Sequence, residues 1–134
     1  MMERAGRWIF ASIFLVSGIL HFLTPKPFVQ IVPPMFPQPR ALVAISGGAE
    51  ILGAIGLLLP RFRRPAGYGL AALLVAVFPA NIYMAVAHIP ATGVLGERWL
   101  QWLRLPIQIP LIWWALHYAR KTSFASGEPR VLPR

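Results

Sequence analysis

The feature that most constrains the fold is a series of long apolar runs that are almost free of charged side chains. About 20 helical residues, at about 1.5 Å each, cross the hydrocarbon core of a bilayer, so an uncharged run of that length predicts a transmembrane helix. Four such spans can be placed, at about residues 6–23, 41–60, 66–87 and 99–119, the last interrupted by Arg104. The chain has 134 residues, of which 57% are hydrophobic. We therefore predict one small all-α membrane domain, residues 1–121.

The bases gather at the ends of these runs and indicate how the helices are oriented. Cytoplasmic loops of membrane proteins carry the excess of Lys and Arg. Of the 13 bases, four fall on one predicted side, namely Lys26, Arg40, Arg98 and Arg104, and the others fall on the opposite side. We expect an antiparallel four-helix bundle with both termini in the cytoplasm. The net charge of +9 does not indicate nucleic acid, because the bases are not clustered on one water-facing surface.

Two segments outside the spans have a different composition. The outer connection between the first two spans, Lys26–Arg40, holds five prolines interleaved with apolar residues. Proline favours extended or turn backbone, so this Pro-rich loop is either a stiff connector or a lid over a cavity. Residues 122–134, rich in Ser, Gly, Pro and Arg, are predicted to form a disordered cytoplasmic tail.

A single carboxylate, Glu50, lies in the middle of the second apolar run, with no other charge between Ala41 and Pro60. A charged side chain at that depth costs roughly 3 kcal/mol or more, so it is a functional hypothesis by default. Counted at about 1.5 Å per residue, the other intramembrane polar side chains fall in the same outer half. We predict a shared polar cavity open to the outside, with Arg104 and His21 as partners of Glu50. Its candidate ligand-binding residues are His21, Ser46, Glu50, Asn81, Arg104 and Gln108.

The same polar residues also have a purely structural interpretation. Polar side chains often do no more than hydrogen-bond membrane helices together, at about 0.6 kcal/mol each. Arg104 is also shallow enough to snorkel to the outer headgroups.

Other chemistries fit the sequence less well. His21 and His88 are candidate haem ligands, but a metal site would have Glu50 and His21 and little else. The chain has no Cys and no Asp, which removes thiol chemistry and a Ser-His-Asp triad. No catalytic residue and no metal ligand is therefore predicted.

Four runs occur in a recognisable order: Gly18–Pro25 (GILHFLTP), Ile31–Pro33 (IVP), Ile45–Gly53 (ISGGAEILG) and Val77–Met84 (VFPANIYM). Together they resemble the DoxX-like family of small bacterial membrane proteins, from about Gly6 to Ala87. The resemblance implies a four-helix bundle in the bacterial cytoplasmic (inner) membrane. It also implies a link to a membrane subunit of a quinone oxidoreductase. The positions that match the family pattern are His21, Ser46, Glu50 and Asn81.

These observations lead to one expected function and one alternative. We expect a non-catalytic multi-pass module that binds a quinone, a lipid or another amphiphile in the outer-leaflet cavity, or a membrane subunit of a redox complex. Quinone is the candidate cofactor, and the candidate partners are membrane lipids, a redox-complex partner and further copies of the chain. Any enzymatic role would be that of an accessory subunit of a quinone-linked oxidoreductase. The alternative is a small proton-coupled transporter acting as a homo-oligomer, because a Glu beside a His suits a proton relay.

Overall fold

The protein is all-helical in the part of the chain that its structure, a computed structural model, describes. That part comprises residues 1–89 and 97–124, with side chains as far as residue 121. The helices are α1 (Met2–Leu23), α2 (Pro25–Gln30), α3 (Pro39–Leu58), α4 (Arg63–Ala87) and α5 (Arg98–Phe124). No β-strand occurs within those two ranges. The predicted all-α class is confirmed.

Three of the helices are long and apolar enough to cross a membrane. They are α1, α3 and α4, and they correspond to the first three predicted spans. Helix α5 is longer, at 27 residues, but its polar side chains and the internal Pro106 and Pro110 make it less apolar. The prediction of membrane-crossing helices is confirmed for three helices, and the fourth span stays a prediction.

Prolines set several of the helix boundaries. Helix α3 ends at Leu58 rather than near residue 60, because Leu59 takes an extended conformation (φ −87°, ψ 118°) before Pro60, as the residue before a proline prefers. Helix α4 begins at Arg63 rather than near residue 66. Pro65 then lies in its first turn, where the N–H that proline lacks would have no partner in any case.

The Pro-rich connection between α1 and α3 contains a short helix that the sequence did not predict. Helix α2 follows α1 after the single residue Thr24, whose φ of −132° and ψ of 68° interrupt the helical backbone. Pro25 and Pro27 both fall in the first turn of α2, where proline is tolerated. The prediction of extended or turn backbone is therefore corrected over Lys26–Gln30.

The C-terminal helix is also longer than predicted. Helix α5 continues to Phe124, so the first three residues of the predicted tail 122–134 are helical. Basic residues such as Lys121 in its last turn stabilise the helix by opposing the negative end of its dipole. The predicted disorder otherwise falls on residues 125–134, which lie outside the described residues.

All four long helices contribute to one apolar core. It lies toward the end of the molecule where α1 and α4 begin and where α3 and α5 end. The buried members are Phe10, Ala11, Phe14, Ala54, Leu57, Leu70, Ala71, Leu74, Ala115 and Tyr118. The ring of Phe10 lies 4.8 Å from that of Phe14 and 4.9 Å from that of Trp114, centroid to centroid. The predicted polar site residues lie toward the opposite end of the molecule.

Helices α4 and α5 approach each other closely at Gly67. A Cβ atom there would lie 2.8 Å from the carbonyl oxygen of Ala115 and 2.9 Å from the amide nitrogen of Ala119. Both of these atoms belong to the backbone, so they cannot move aside as a flexible side chain could. Gly69, two residues later, has nothing within 4 Å of the same position.

This difference predicts opposite effects for two matched substitutions. Gly67→Ala should lower the free energy of unfolding by about 1 to 3 kcal/mol, because the added methyl group forces α4 and α5 apart. Gly69→Ala should leave it unchanged or raise it by up to about 1 kcal/mol, because alanine is the better helix former. Thermal unfolding in detergent measures both, and equal melting temperatures for the two variants would contradict the packing described.

Candidate functional site

A buried histidine and glutamate meet between α1 and α3. Nδ1 of His21 lies 3.6 Å from Oε2 of Glu50, and both side chains are about nine-tenths buried. The same Nδ1 lies 2.7 Å from the carbonyl oxygen of Ser17, which can only accept a hydrogen bond. The imidazole N–H therefore points to Ser17, and Oε2 of Glu50 is left without a hydrogen-bond partner among the described residues. The Ser17 hydroxyl lies beside the same carboxylate.

Two glycines bring these side chains together. A Cβ at Gly18 would lie 2.7 Å from the carbonyl oxygen of Gly47, and one at Gly47 would lie 2.6 Å from Cβ of His21. Neither position could carry a side chain at this helix separation. The α1–α3 crossing therefore depends on glycine in both helices, which is how small residues act in membrane helix packing.

Helix α2 covers this pair from the end of the bundle. The ring of Phe28 stacks on the imidazole of His21, with centroids 3.8 Å apart and planes inclined by 23°. Because α2 follows α1 after a single residue, its side chains are held above the last turn of α1 and the first turns of α3. The loop predicted to be either a connector or a lid thus contributes residues that lie over His21.

A cavity of about 580 Å³ opens beside the pair, between α1, α2 and the start of α3. This volume falls within the range of roughly 300–1,000 Å³ that is usual for small-molecule sites. Its wall carries the imidazole of His21, the cations Lys26 and Arg40, and apolar side chains that include Val29 and Val43. The cavity combines an apolar surface with a few polar groups, as amphiphile sites do.

A second polar group joins α4 to α5. Asn81 Nδ2 donates to Oε1 of Gln108 at 2.7 Å, and Gln108 Nε2 donates to the carbonyl oxygen of Leu74. Leu74 lies within two turns of Pro79, whose missing N–H weakens the hydrogen-bond ladder of α4. Gln108 thus uses both ends of its amide to bridge the two helices.

The cation Arg104 does not meet Glu50. Its Nη1 lies 4.0 Å from Sδ of Met84 on α4, and no ion pair joins it to a carboxylate within the described ranges. The expected Arg104–Glu50 partnership is therefore not formed. Of the two predicted partners, the structure places only His21 beside the carboxylate.

The six predicted site residues fall into two groups. His21 and Glu50 meet between α1 and α3, with Ser46 half-buried one turn before Glu50. Asn81, Arg104 and Gln108 belong to the α4–α5 pair. No described hydrogen bond or ion pair joins the two groups, although α3 also packs on α4.

The remaining candidate ligands are also accounted for. His88 Nε2 lies 2.9 Å from Arg98 Nη2 and must accept from it, since a guanidinium only donates. His88 is thus held at the end of α4, and His21 is engaged with Ser17 and Glu50. In the portion of the chain that the structure describes, no three His, Cys, Asp or Glu side chains cluster to hold a metal.

Sequence reasoning missed two residues that line the cavity, Lys26 and Arg40, and one that stacks on His21, Phe28. Lys26 and Arg40 entered it only as evidence of orientation, and Phe28 only as part of an apolar loop. A signal was present, since Lys26 and Arg40 flank the Pro-rich segment and a short helix at Pro25–Gln30 brings both to one wall. Predicting that helix would have revealed that Lys26 and Arg40 line the same cavity.

The Asn81–Gln108 contact predicts measurable coupling between the two residues. Asn81→Leu and Gln108→Leu should each lower the free energy of unfolding. The loss in the double variant should be smaller than the sum of the two single losses by about 0.6 to 1.7 kcal/mol. Unfolding in detergent of the four proteins of the cycle provides the measurement. Asn81→Leu with Gln101→Leu is the matched control, because Gln101 Nε2 donates instead to Ile89 O at 2.8 Å. Additive losses for Asn81 and Gln108, within about 0.5 kcal/mol, would show that the two side chains do not interact.

A family model described as Domain of unknown function (DUF8561) matches residues 10–119. The matched range holds the His21–Glu50 pair, the cavity beside it and the Asn81–Gln108 bridge. No curated protein and no solved structure matches the chain. The resemblance to the DoxX-like family stays a prediction, since this match does not bear on it. Because the matched range covers well over half of the chain, the protein belongs to the DUF8561 family.

Proposed function

We propose that this protein is a non-catalytic, multi-pass module of the bacterial inner membrane that binds an amphiphile in the cavity beside His21. It is a DoxX-like four-helix bundle of α1, α3, α4 and α5, with both termini cytoplasmic. The cavity opens toward the outer leaflet. The amphiphile is a quinone, a lipid or a related molecule, bound by the protein alone or as a membrane subunit of a redox complex.

The observation that carries this proposal is the cavity of about 580 Å³ beside a buried carboxylate whose Oε2 lacks a hydrogen-bond partner among the described residues. A buried carboxylate is costly unless it is paired and hydrogen-bonded. Neutral residues would hold α1 to α3 with less desolvation cost, so packing alone gives no reason for a charge at Glu50. Ligand binding at His21, which stands between the carboxylate and the cavity, gives a reason for the charge at Glu50.

The exposure of α5 supports its role as a fourth span. Gln101 and Gln108 are 2% and 3% exposed, so these two polar side chains would be screened from lipid. Apart from Arg104, the large exposed side chains between Trp99 and Trp113 are apolar or aromatic, as a lipid-facing surface requires. They are Trp99, Trp102, Leu103, Ile107, Ile109 and Trp113.

The roles of the two polar groups differ in this proposal. His21 forms part of the cavity wall, and Glu50 behind it supplies the negative charge that holds the imidazole. Asn81 and Gln108 satisfy each other and hold α4 against α5, which is the structural role of polar residues in membranes.

One observation favours the alternative function, a proton-coupled transporter acting as a homo-oligomer. The unpartnered Oε2 of Glu50 lies 3.6 Å from an imidazole nitrogen, a distance over which a small rearrangement would pass a proton. Intramembrane carboxylate and histidine pairs commonly serve as proton relays.

The amphiphile proposal predicts that changing the pair removes the bound molecule. His21→Ala and Glu50→Gln should each reduce the amount retained through purification in mild detergent by roughly tenfold or more, the value of a lost hydrogen bond to a charged group. Native mass spectrometry reports the bound molecules and the stoichiometry together. His117→Ala is the matched control, because His117 stacks on Trp113 of α5, away from the cavity.

A loss of the bound molecule in His21→Ala or Glu50→Gln must be distinguished from a failure of the variant to fold. Phe28→Ala provides that separation, because it uncovers His21 from the surface of the bundle without touching the apolar core. A profile of bound lipid and quinone that is identical in wild type, His21→Ala, Glu50→Gln and Phe28→Ala would refute the proposal.

The transporter alternative predicts proton movement across the membrane. Wild-type protein in proteoliposomes should dissipate an imposed pH gradient, and Glu50→Gln should abolish that flux while leaving insertion and stability intact. Flux that is absent from the wild type at every imposed gradient would remove this alternative.

A further inference from the structure

We infer that the cavity selects a phosphate-class anionic headgroup, and that Lys26 and Arg40 are the residues that select it. The inference rests on the proposed function and names the chemical class of the ligand. The shared chemistry is a phosphate monoester or diester, carried by a lipid or by a small solute.

The two cations of the cavity have no counter-charge. Lys26 and Arg40 stand on the cavity wall, and neither forms an ion pair within the described ranges. The chain has only four acids. Glu3 pairs with Lys121 at the other end of the molecule, and Glu50 is held behind His21. Glu97 forms no ion pair with a described residue, and Glu128 lies outside the described residues.

Glu50 does not neutralise this wall. Glu50 contributes one negative charge, against two positive charges from Lys26 and Arg40. The cavity is therefore positive even when His21 is neutral, and more so when it is protonated. A neutral quinone would leave this charge uncompensated, whereas an anionic head would compensate it.

The donor geometry suits phosphate oxygens. A guanidinium presents a planar fork of N–H donors and an ammonium presents three, and both groups bind phosphate in proteins. Arg40 lies in the first turn of α3, directly after Pro39, and Lys26 lies between Pro25 and Pro27 in α2. Proline restricts the backbone on either side of Lys26, and both cations line the same cavity.

The rest of the cavity suits the part of an amphiphile next to its phosphate. Val29, Val43 and Ala44 supply apolar surface to the same cavity. The cavity lies at the end of α1 and the start of α3, so an acyl chain leaving it would run along the lipid-facing side of these helices. An anionic lipid would place its headgroup against the two cations and its acyl chains in the leaflet, so both the charged and the apolar surface would be in contact with a matching group.

The test compares two lipids that share the same acyl chains. Wild-type protein in mixed vesicles or nanodiscs should prefer phosphatidylglycerol to phosphatidylcholine, and Lys26→Gln or Arg40→Gln should each reduce that preference by about fivefold, in line with the contribution of one base to anionic-lipid binding. The preference should also fall with ionic strength. Arg98→Gln is the matched control, because it removes one charge on the same predicted side of the membrane, at the exposed contact with His88.

Glycerol 3-phosphate added as competitor identifies the source of the phosphate. Displacement of phosphatidylglycerol at millimolar concentration supports a phosphate site that also takes a soluble solute. Retention of the lipid, with the preference still dependent on Arg40, supports a lipid headgroup site. Equal binding of the two lipids, or an equal loss of preference in Arg98→Gln and Arg40→Gln, overturns the inference.

The outcome also separates this inference from the function on which it rests. If a neutral amphiphile binds in a way that depends on His21 but not on Lys26 or Arg40, the proposed function stands and the anionic class is wrong. If the binding of every amphiphile is independent of His21 and of both cations, the proposed function and the further inference are both wrong.

Discussion

The close approach of α1 and α3 at Gly18 and Gly47 is the contact on which the candidate site depends. His21 lies three residues after Gly18, and Glu50 lies three residues after Gly47, so each functional side chain shares a helix face with its glycine. With a Cβ at either glycine the helices would have to separate, since the clashing atoms stand 2.6 to 2.7 Å away. The imidazole would then no longer shield the carboxylate, and the wall of the cavity would lose its polar group.

The α4–α5 pair is joined in a different way. Its prolines, Pro79 in α4 and Pro106 and Pro110 in α5, interrupt the regular backbone ladder in the same part of the molecule as Asn81 and Gln108. The amide of Gln108 donates to a backbone carbonyl of α4 and accepts from Asn81. A neutral, mutually satisfied pair fixes this joint, and the large apolar side chains of α5 remain on the outer surface.

The sequence was sufficient to predict the helices but not how they face one another. Uncharged length identifies α1, α3 and α4 directly, because burying roughly 20 backbone units in lipid is possible only in a helix. Depth along each helix also follows from sequence, which is why His21 and Glu50 were both expected in the outer half of the membrane. The rotation of each helix about its own axis, and the helix that it packs against, do not follow from sequence. Arg104 lies at a depth comparable to that of the pair, yet it contacts Met84 on α4, because which neighbour a helix meets is decided by packing between surfaces.

The short helix α2 shows a second limit. A segment with prolines at positions 25, 27, 33, 34 and 37 has the composition of an extended loop, and local propensity gives no reason to expect a helix there. Two of those prolines nevertheless fall in the first turn of α2, which tolerates them. The stacking of Phe28 on His21 then stabilises a conformation that composition alone does not favour. The residues that line the cavity were hidden from sequence reasoning for this reason.

The contrast between Gln108 and Glu50 distinguishes a structural polar residue from a functional one. Gln108 is buried between helices and both ends of its amide are used, so its burial is compensated. Glu50 is buried to a similar degree, carries a charge, and leaves one oxygen unpartnered beside an imidazole that already donates elsewhere. A glutamine would keep the shape and reduce the desolvation cost. Interhelical packing therefore explains Gln108 fully and Glu50 only in part. The charge at Glu50 is explained when it holds the imidazole of His21 in the wall of a cavity that is also lined by Lys26 and Arg40.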